Sequence, residues 1–164
     1  MKKLVKVVLV FCVIFCFYTF VGQFTLVFGS SMETTLSNGD FLFMEKITKT
    51  FQSDYKRFQI IVFNSDDPDE PLYIKRIIAL PGETIQLKNG EIFINGKRLN
   101  ESYGYEKFLD AGIAENPITL SDDEYFVLGD NRNNSKDSRM IGPVQEESIC
   151  GHIVFRLLPF SIFS

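Results

Sequence analysis

Tryptophan is absent from this 164-residue chain, histidine occurs once, and cysteine three times. Each scarcity removes a class of chemistry. With His152 as the only imidazole, a Ser-His-Asp hydrolase has a single candidate base, and that residue sits in an apolar stretch, 152–155, that reads as a strand. A metal centre would have to be built from carboxylates alone. The acidic run Asp66-Asp67-Pro68-Asp69-Glu70 lacks the alternating ligand spacing of a calcium loop and reads as a solvated turn. Cys12 and Cys16 lie inside an apolar run and Cys150 stands alone near the end, so neither a zinc site nor a disulfide framework is supported. Basic residues are outnumbered, 17 against 21 acidic, for a net charge of −4. Once Lys2, Lys3 and Lys6 are set aside, the body of the chain holds 14 basic residues against 21 acidic ones. A net-acidic body argues against nucleic acid as a partner, because phosphate binding needs a basic face.

What is abundant is apolar. Between residues 7 and 28 the only clearly polar side chains are Tyr18, Thr19, Gln23 and Thr25. Twenty-two helical residues would span about 33 Å, which matches a bilayer core of roughly 30 Å. A cleaved secretory signal would have a shorter apolar region, of about 7–15 residues, ending at a small-x-small site. Here the residues after Phe17 are bulky, and Val27-Phe28-Gly29 is a weak cleavage site, so the segment reads as an uncleaved anchor. Lys2, Lys3 and Lys6 precede it, which leaves a short cytoplasmic N-terminus and puts the rest of the chain outside. Gly22 is a plausible break. The anchor helix is placed at about 4–21, followed by a lead-in strand toward Gly29. The division is thus 1–28 for N-terminus, anchor and lead-in, and 29–164 for one exterior domain.

Seventeen phenylalanines with abundant isoleucine and valine favour a sheet-rich core. Asn38-Gly39, Asn89-Gly90 and Asn95-Gly96 are hairpin-type turns between apolar runs. Strands are expected at 41–44, 59–63, 72–78, 84–87, 91–94, 125–128 and 152–155, with a surface loop at 100–116. The fold class is mainly β: a barrel-like or coiled antiparallel sheet, closed or nearly closed, behind one membrane helix. Gly90 and Gly96-Lys97 do not make a phosphate loop, because the spacing is wrong and a hairpin follows.

Three segments carry candidate chemistry. Gly29-Ser30-Ser31-Met32 puts a flexible residue two positions before a serine, so the backbone can turn sharply and present the hydroxyl to a cleft. In Tyr73-Ile74-Lys75-Arg76-Ile77-Ile78, Lys75 shares a strand face with Tyr73 and Ile77 while Arg76 points the other way. At its ordinary pKa only about one lysine amine in 2,500 is neutral at pH 7, and lowering that pKa by about three units is within what burial supplies. Residues 129–139, Gly129-Asp130-Asn131-Arg132-Asn133-Asn134-Ser135-Lys136-Asp137-Ser138-Arg139, are dense in turn formers and hydrogen-bonding groups. Asp137 and Arg139 can pair to fix that loop, leaving Ser135 or Ser138 to meet an amine. A serine, a desolvated lysine and an anchor point to a serine/lysine protease at the outer membrane surface.

Together these segments resemble bacterial type I signal peptidases, membrane-anchored Ser/Lys endopeptidases of the export pathway. The likeness runs in order through the anchor, Ser31-Met32-Glu33-Thr34-Thr35-Leu36, Gly39-Asp40, Tyr73-Ile74-Lys75-Arg76 with Leu80-Pro81-Gly82-Glu83, and Gly129-Asp130-Asn131-Arg132 through Ser138-Arg139. The resemblance implies Ser31 as nucleophile and Lys75 as general base, Ser135 as the residue orienting the amine, and Asp137 with Arg139 as a bracing ion pair. It implies a groove with Val27, Gly29, Met32, Leu36, Tyr73 and Ile74 near small pockets, and the Ser31 N–H at the oxyanion. It further implies acyl-enzyme removal of signal peptides after Ala-x-Ala-like residues, no cofactor, and a single-pass protein of the cytoplasmic membrane. Its partners would be preprotein signal peptides, the lipid bilayer and the secretion translocon. The chain resembles the compact Gram-positive members that lack a large inserted domain.

Two departures stand out. Thr34 occupies a position where the family usually has proline, which implies a looser turn or a narrower substrate range. Arg57-Phe58-Gln59 replaces a common Arg-Gly-Asp, at a position that reads as structural. The rivals are a His152-dependent hydrolase, a relative of the LexA-type self-cleaving repressors, and an anchored module serving a few secretion or pilus clients.

Overall fold

The computed structural model describes residues 2–51, 54–104 and 106–163. An apolar helix, α1 (Lys2–Cys16), continues into a π-helical turn, Phe17–Val21. Its side chains are exposed on every side, and among the described residues it is the one helix long and apolar enough to cross a membrane by length and composition. A helix end leaves carbonyls without partners. Here Lys46 Nζ donates to Tyr18 O, the Lys46 N–H to Val21 O and the Thr50 hydroxyl to Phe20 O, so a cation sits at the negative end of the helix dipole.

Strand β1 (Gly22–Leu26) starts at once after this helix. A Cβ on Gly22 would lie 2.6 Å from Met44 O, so only glycine lets the chain turn from helix into sheet this closely. There follow β2 (Phe41–Glu45), α2 (Ile47–Thr50), β3 (Ile60–Asn64), β4 (Leu72–Ala79), β5 (Thr84–Lys88), β6 (Glu91–Ile94) and β7 (Lys97–Arg98). The remainder is β8 (Ile118–Thr119), β9 (Glu124–Leu128), α3 (Ser138–Ile141), β10 (Val144–Gln145), β11 (Ile149–Arg156) and β12 (Ser161–Ile162).

The strands form two sheets in which every pairing is antiparallel. The larger has the order β1-β2-β11-β3-β4-β9-β10, with β12 added on β11; the smaller is β7-β6-β5-β8. The outer strands β1 and β10 do not pair with each other, so the large sheet is open and not a closed barrel. Because β3 reads Ile-Ile-Val-Phe without alternation, both its faces are buried, Ile61 and Phe63 on one side, Ile60 and Val62 on the other. A third cluster, including Ile85, Leu87, Phe126 and Leu128, joins the small sheet to β4 and β9.

Asn89-Gly90 and Asn95-Gly96 have positive φ at both central positions and close the β5–β6 and β6–β7 hairpins. Asn38-Gly39 does not join adjacent strands in that way. It closes the neck of the long loop between β1 and β2, with the Gly39 N–H donating to Val27 O and the Val27 N–H to Asp40 O. The lead-in after the anchor belongs to the sheet: β1 pairs along its length with β2, and Val27 is in the core. The expected loop at 100–116 is irregular apart from one 3-10 turn, Gly112–Glu115, and Tyr105 lies outside the described residues.

Candidate active site

The loop between β1 and β2 carries Ser31. Gly29 takes a left-handed φ of 88°, which turns the chain into a tight turn closed by Glu33 N–H to Ser30 O, Thr35 N–H to Met32 O and Leu36 N–H to Met32 O. Met32 and Leu36 are buried and hold this turn on the sheet. Lys75 comes from the middle of β4 and is 3% exposed. Its Nζ lies 2.8 Å from Ser31 Oγ and 3.1 Å from Ile74 O, over the Tyr73 ring at 5.0 Å from the centroid. Burial pushes the Lys75 pKa down to about 8, against the opposing pull of the Asp137 and Glu70 carboxylates.

Ser30 is tied elsewhere. Its hydroxyl accepts from Asn134 Nδ2 at 2.9 Å and its carbonyl from Asn131 Nδ2 at 3.1 Å, while the Asn131 N–H donates to Ser31 O at 3.0 Å. Of the two adjacent serines, only Ser31 meets the amine. Residues 129–139 therefore grip the backbone that presents Ser31, a role for Asn131 and Asn134 that their residue types alone did not reveal.

Asp137 is fully buried and pairs with Arg139 through Nε to Oδ1 and Nη2 to Oδ2, each 2.8 Å. The carboxylate also accepts from the Gly129 N–H, and Arg139 Nη2 donates to Arg132 O, so the pair ties both ends of the loop together. Ser138 Oγ accepts from the Val127 N–H, which occupies it structurally. Ser135 Oγ is buried and has no hydrogen-bond partner; a Cβ on Gly129 would lie 2.2 Å from it and 2.5 Å from Ser31 O. Ser135 is thus close to the Ser31 main chain and makes no hydrogen bond to the lysine.

On the opposite face of β4, Arg76 and Asp130 form a buried two-point ion pair at 2.9 and 2.6 Å. Thr35 Oγ1 donates to the same carboxylate at 2.5 Å, and the Arg76 guanidinium stacks 3.6 Å over Tyr103. This network pins the turn after Ser31 from below. Nothing but the Gly-Asp-Asn-Arg string hinted at it. Phe58 is left-handed at φ 73°, and its carbonyl accepts from Arg76 Nη1. Arg57 pairs with Glu83.

A groove of about 410 Å³ leads to the Ser31–Lys75 pair. Residues 25–29 form one wall and residues 69–75 the other, with Val27, Gly29, Met32, Tyr73 and Ile74 among the lining. Leu36 does not line it; it is fully buried among Leu42 and Met44 beneath the turn, because the turn directs it into the sheet. β9 pairs with β4 only from Arg76 onward, so the edge of β4 before it faces the groove unpaired. His152 lies 2.7 Å from Glu45 Oε1 and near Gln59, with no hydrogen bond to Ser31, and burial lowers its pKa.

Comparison with known proteins identifies a family for the chain. The family described as signal peptidase, peptidase S26, matches residues 1–158. The chain is 41% identical to signal peptidase I P of Bacillus subtilis subsp. natto over 90% of its own length and 81% of that protein. It is 41% identical to signal peptidase I of Bacillus amyloliquefaciens over 81% of its length and 74% of that protein. A crystal structure of a signal peptidase I from Enterococcus faecalis superposes with a TM-score of 0.50 at 34% identity, covering 61% of this chain and 97% of the other. With an apolar N-terminal helix, a mainly antiparallel fold and a family match over nearly its whole length, the chain belongs to the signal peptidases of family S26, serine endopeptidases that remove signal peptides from preproteins.

Proposed function

We propose that Ser31 is the nucleophile and Lys75 the general base of this peptidase, and that the observation carrying the assignment is the 2.8 Å approach of a buried amine to Ser31 Oγ. With a pKa of about 8, roughly one Lys75 amine in ten is neutral at pH 7, against about one in 2,500 for a free lysine. Neutral Lys75 accepts the Ser31 proton as Oγ attacks the carbonyl carbon of the scissile peptide. The lysinium then protonates the departing amine, and the acyl-enzyme ester is hydrolysed by water with Lys75 again as base. The Ser31 N–H serves the oxyanion; Gly29, with no side chain, adds no donor there.

The signal-peptide end of the substrate lies extended in the groove, where the free edge of β4 offers main-chain groups for pairing. Val27, Gly29, Met32, Tyr73 and Ile74 shape the pockets, which take small, Ala-x-Ala-like residues before the scissile bond. Asp137 and Arg139 brace the loop, and the Asp137 charge holds Lys75 from losing its proton too readily. Ser135 orients the amine once substrate has desolvated the site. The next basic residue after Lys6 is Lys46, so the helix is oriented with its N-terminus cytoplasmic and residues 22–164 outside. There the bilayer holds Ser31 near emerging preproteins and near the secretion translocon.

Cleavage of a purified preprotein in detergent tests the assignment. Ser31→Ala and Lys75→Ala each reduce turnover to background, and Ser30→Ala and His152→Ala retain it. A Ser30→Ala variant as inactive as Ser31→Ala would sink the assignment.

A further inference from the structure

A second depression, of about 660 Å³, opens beside the groove and has no part in the chemistry above. Its floor includes Phe63, Tyr73 and Val144, all buried, and its rim includes Asp67, Lys136 and Glu147. Tyr73 lines both cavities. We infer that this depression receives the first residues of the mature chain, those after the scissile bond, and that it prefers basic or neutral side chains there to acidic ones. The inference rests on the assignment of Ser31 and Lys75.

Three observations direct the substrate this way. The free edge of β4 ends at Lys75, because from Arg76 onward that edge is paired with β9. A peptide extended along the groove therefore cannot continue in line past the scissile bond and must leave the sheet. The departing amine has to come within reach of Lys75 Nζ to be protonated. Lys75 projects from the same face of β4 as Tyr73 and Ile77, so the exit lies on that face. That face carries the Tyr73 ring, whose hydroxyl shares an Asp67 oxygen with Lys136. Lys136 Nζ lies 2.7 Å from Asp67 Oδ2, and the Tyr73 hydroxyl donates to the same oxygen at 3.2 Å. This clasp joins residues 129–139 to the 65–71 loop and forms the near wall of the depression.

The charge preference follows from what the clasp leaves over. Lys136 offsets Asp67, whereas Asp66 and Glu147 are exposed on the rim and have no ion-pair partner among the described residues. Lysine or arginine shortly after the cleavage site gains from that field, and aspartate or glutamate is repelled, with an effect that weakens as salt rises.

The test uses the full chain in detergent and three peptides sharing one signal side through the scissile bond. The first ends two residues beyond it, the second continues for eight residues with two lysines, and the third carries glutamates in place of those lysines. The second is cleaved with a kcat/KM about fivefold or more above the first, mainly through a lower KM, and the third loses most of that gain. Gln145→Trp, which puts a bulky ring on the lining of the depression and narrows it, lowers the ratio of second to first, and Glu147→Lys narrows or inverts the preference for lysine over glutamate. Equal kcat/KM for the first two peptides, or ratios unmoved in both variants, would overturn the inference while leaving the Ser31–Lys75 assignment in place. Cleavage of none of the peptides would remove both.

Discussion

Burial penalises an ammonium and not an amine, and Lys75 at 3% exposure is where that penalty becomes chemistry. It also has a thermodynamic sign. The folded pKa of about 8 lies below the unfolded lysine value of 10.5, so the unfolded chain binds the proton more tightly. The penalty is fully present below pH 8 and fades as pH rises to 10.5. A shift of this size corresponds to roughly 3 kcal/mol. Lys75→Met is therefore more stable than the parent at pH 7, and the gap between them closes by pH 10.5; unfolding free energies at the two pH values check this. Ser135 gives a second residue-scale prediction. Its hydroxyl has no partner, so Ser135→Ala changes stability by no more than about 0.5 kcal/mol, and a fall in kcat in that variant reports on the lysine and not on folding. A glycine two residues earlier and an apolar strand around a charge nominated Ser31 and Lys75 separately; their approach to 2.8 Å was expected only from the segments taken together. The placement of Leu36 was not, since whether a turn residue faces a groove or the core depends on how the turn sits on the sheet.

Strand β4 organises the site because its two faces do different work: Tyr73, Lys75 and Ile77 on one, Ile74 and Arg76 on the other. The Arg76–Asp130 pair beneath it is buried on both sides, so removing one partner leaves an uncompensated charge. Asp130→Ala lowers stability by about 3–5 kcal/mol and frees Thr35, loosening the turn that presents Ser31. Thermal melts of the variant check the stability loss. Asp130→Asn, which keeps the shape, falls less. Apolar strands of four or more residues could be read from the sequence, whereas β7, β8, β10 and β12, of two residues each, could not, because a pair of residues has no period. Asn38-Gly39 carries the residue types of a hairpin, but here they close a loop neck; turn chemistry fixes the local bend and not what lies on either side. The partners of the Asp130 and Asn131 side chains sit 54 or more positions away, beyond anything local patterning reports.

At the scale of the whole molecule, the apolar helix and the sheet meet at Gly22, where the sequence also placed the break. A chain beginning at Gly22 keeps β1 and the groove wall and cleaves a soluble peptide in detergent about as well as the full chain. One beginning at Gly29 loses both and is inactive, because β1 pairs along its length with β2. On membrane-inserted preprotein the first truncation falls well behind the full chain, since the anchor raises effective concentration without adding a contact. The overall architecture was legible, an apolar helix ahead of a mainly antiparallel body, although the large sheet stays open where closure or near-closure was expected. Strand count and curvature decide closure, and neither is written in local pattern. The account depends above all on an amine that gives up its proton near neutrality. The pH dependence of kcat/KM for a signal-peptide substrate tests it most directly. A rate set by neutral Lys75 rises tenfold per pH unit, levels near pH 8 and is lost completely in Lys75→Ala. A rate still climbing through pH 10, or one indifferent to Lys75, would contradict it.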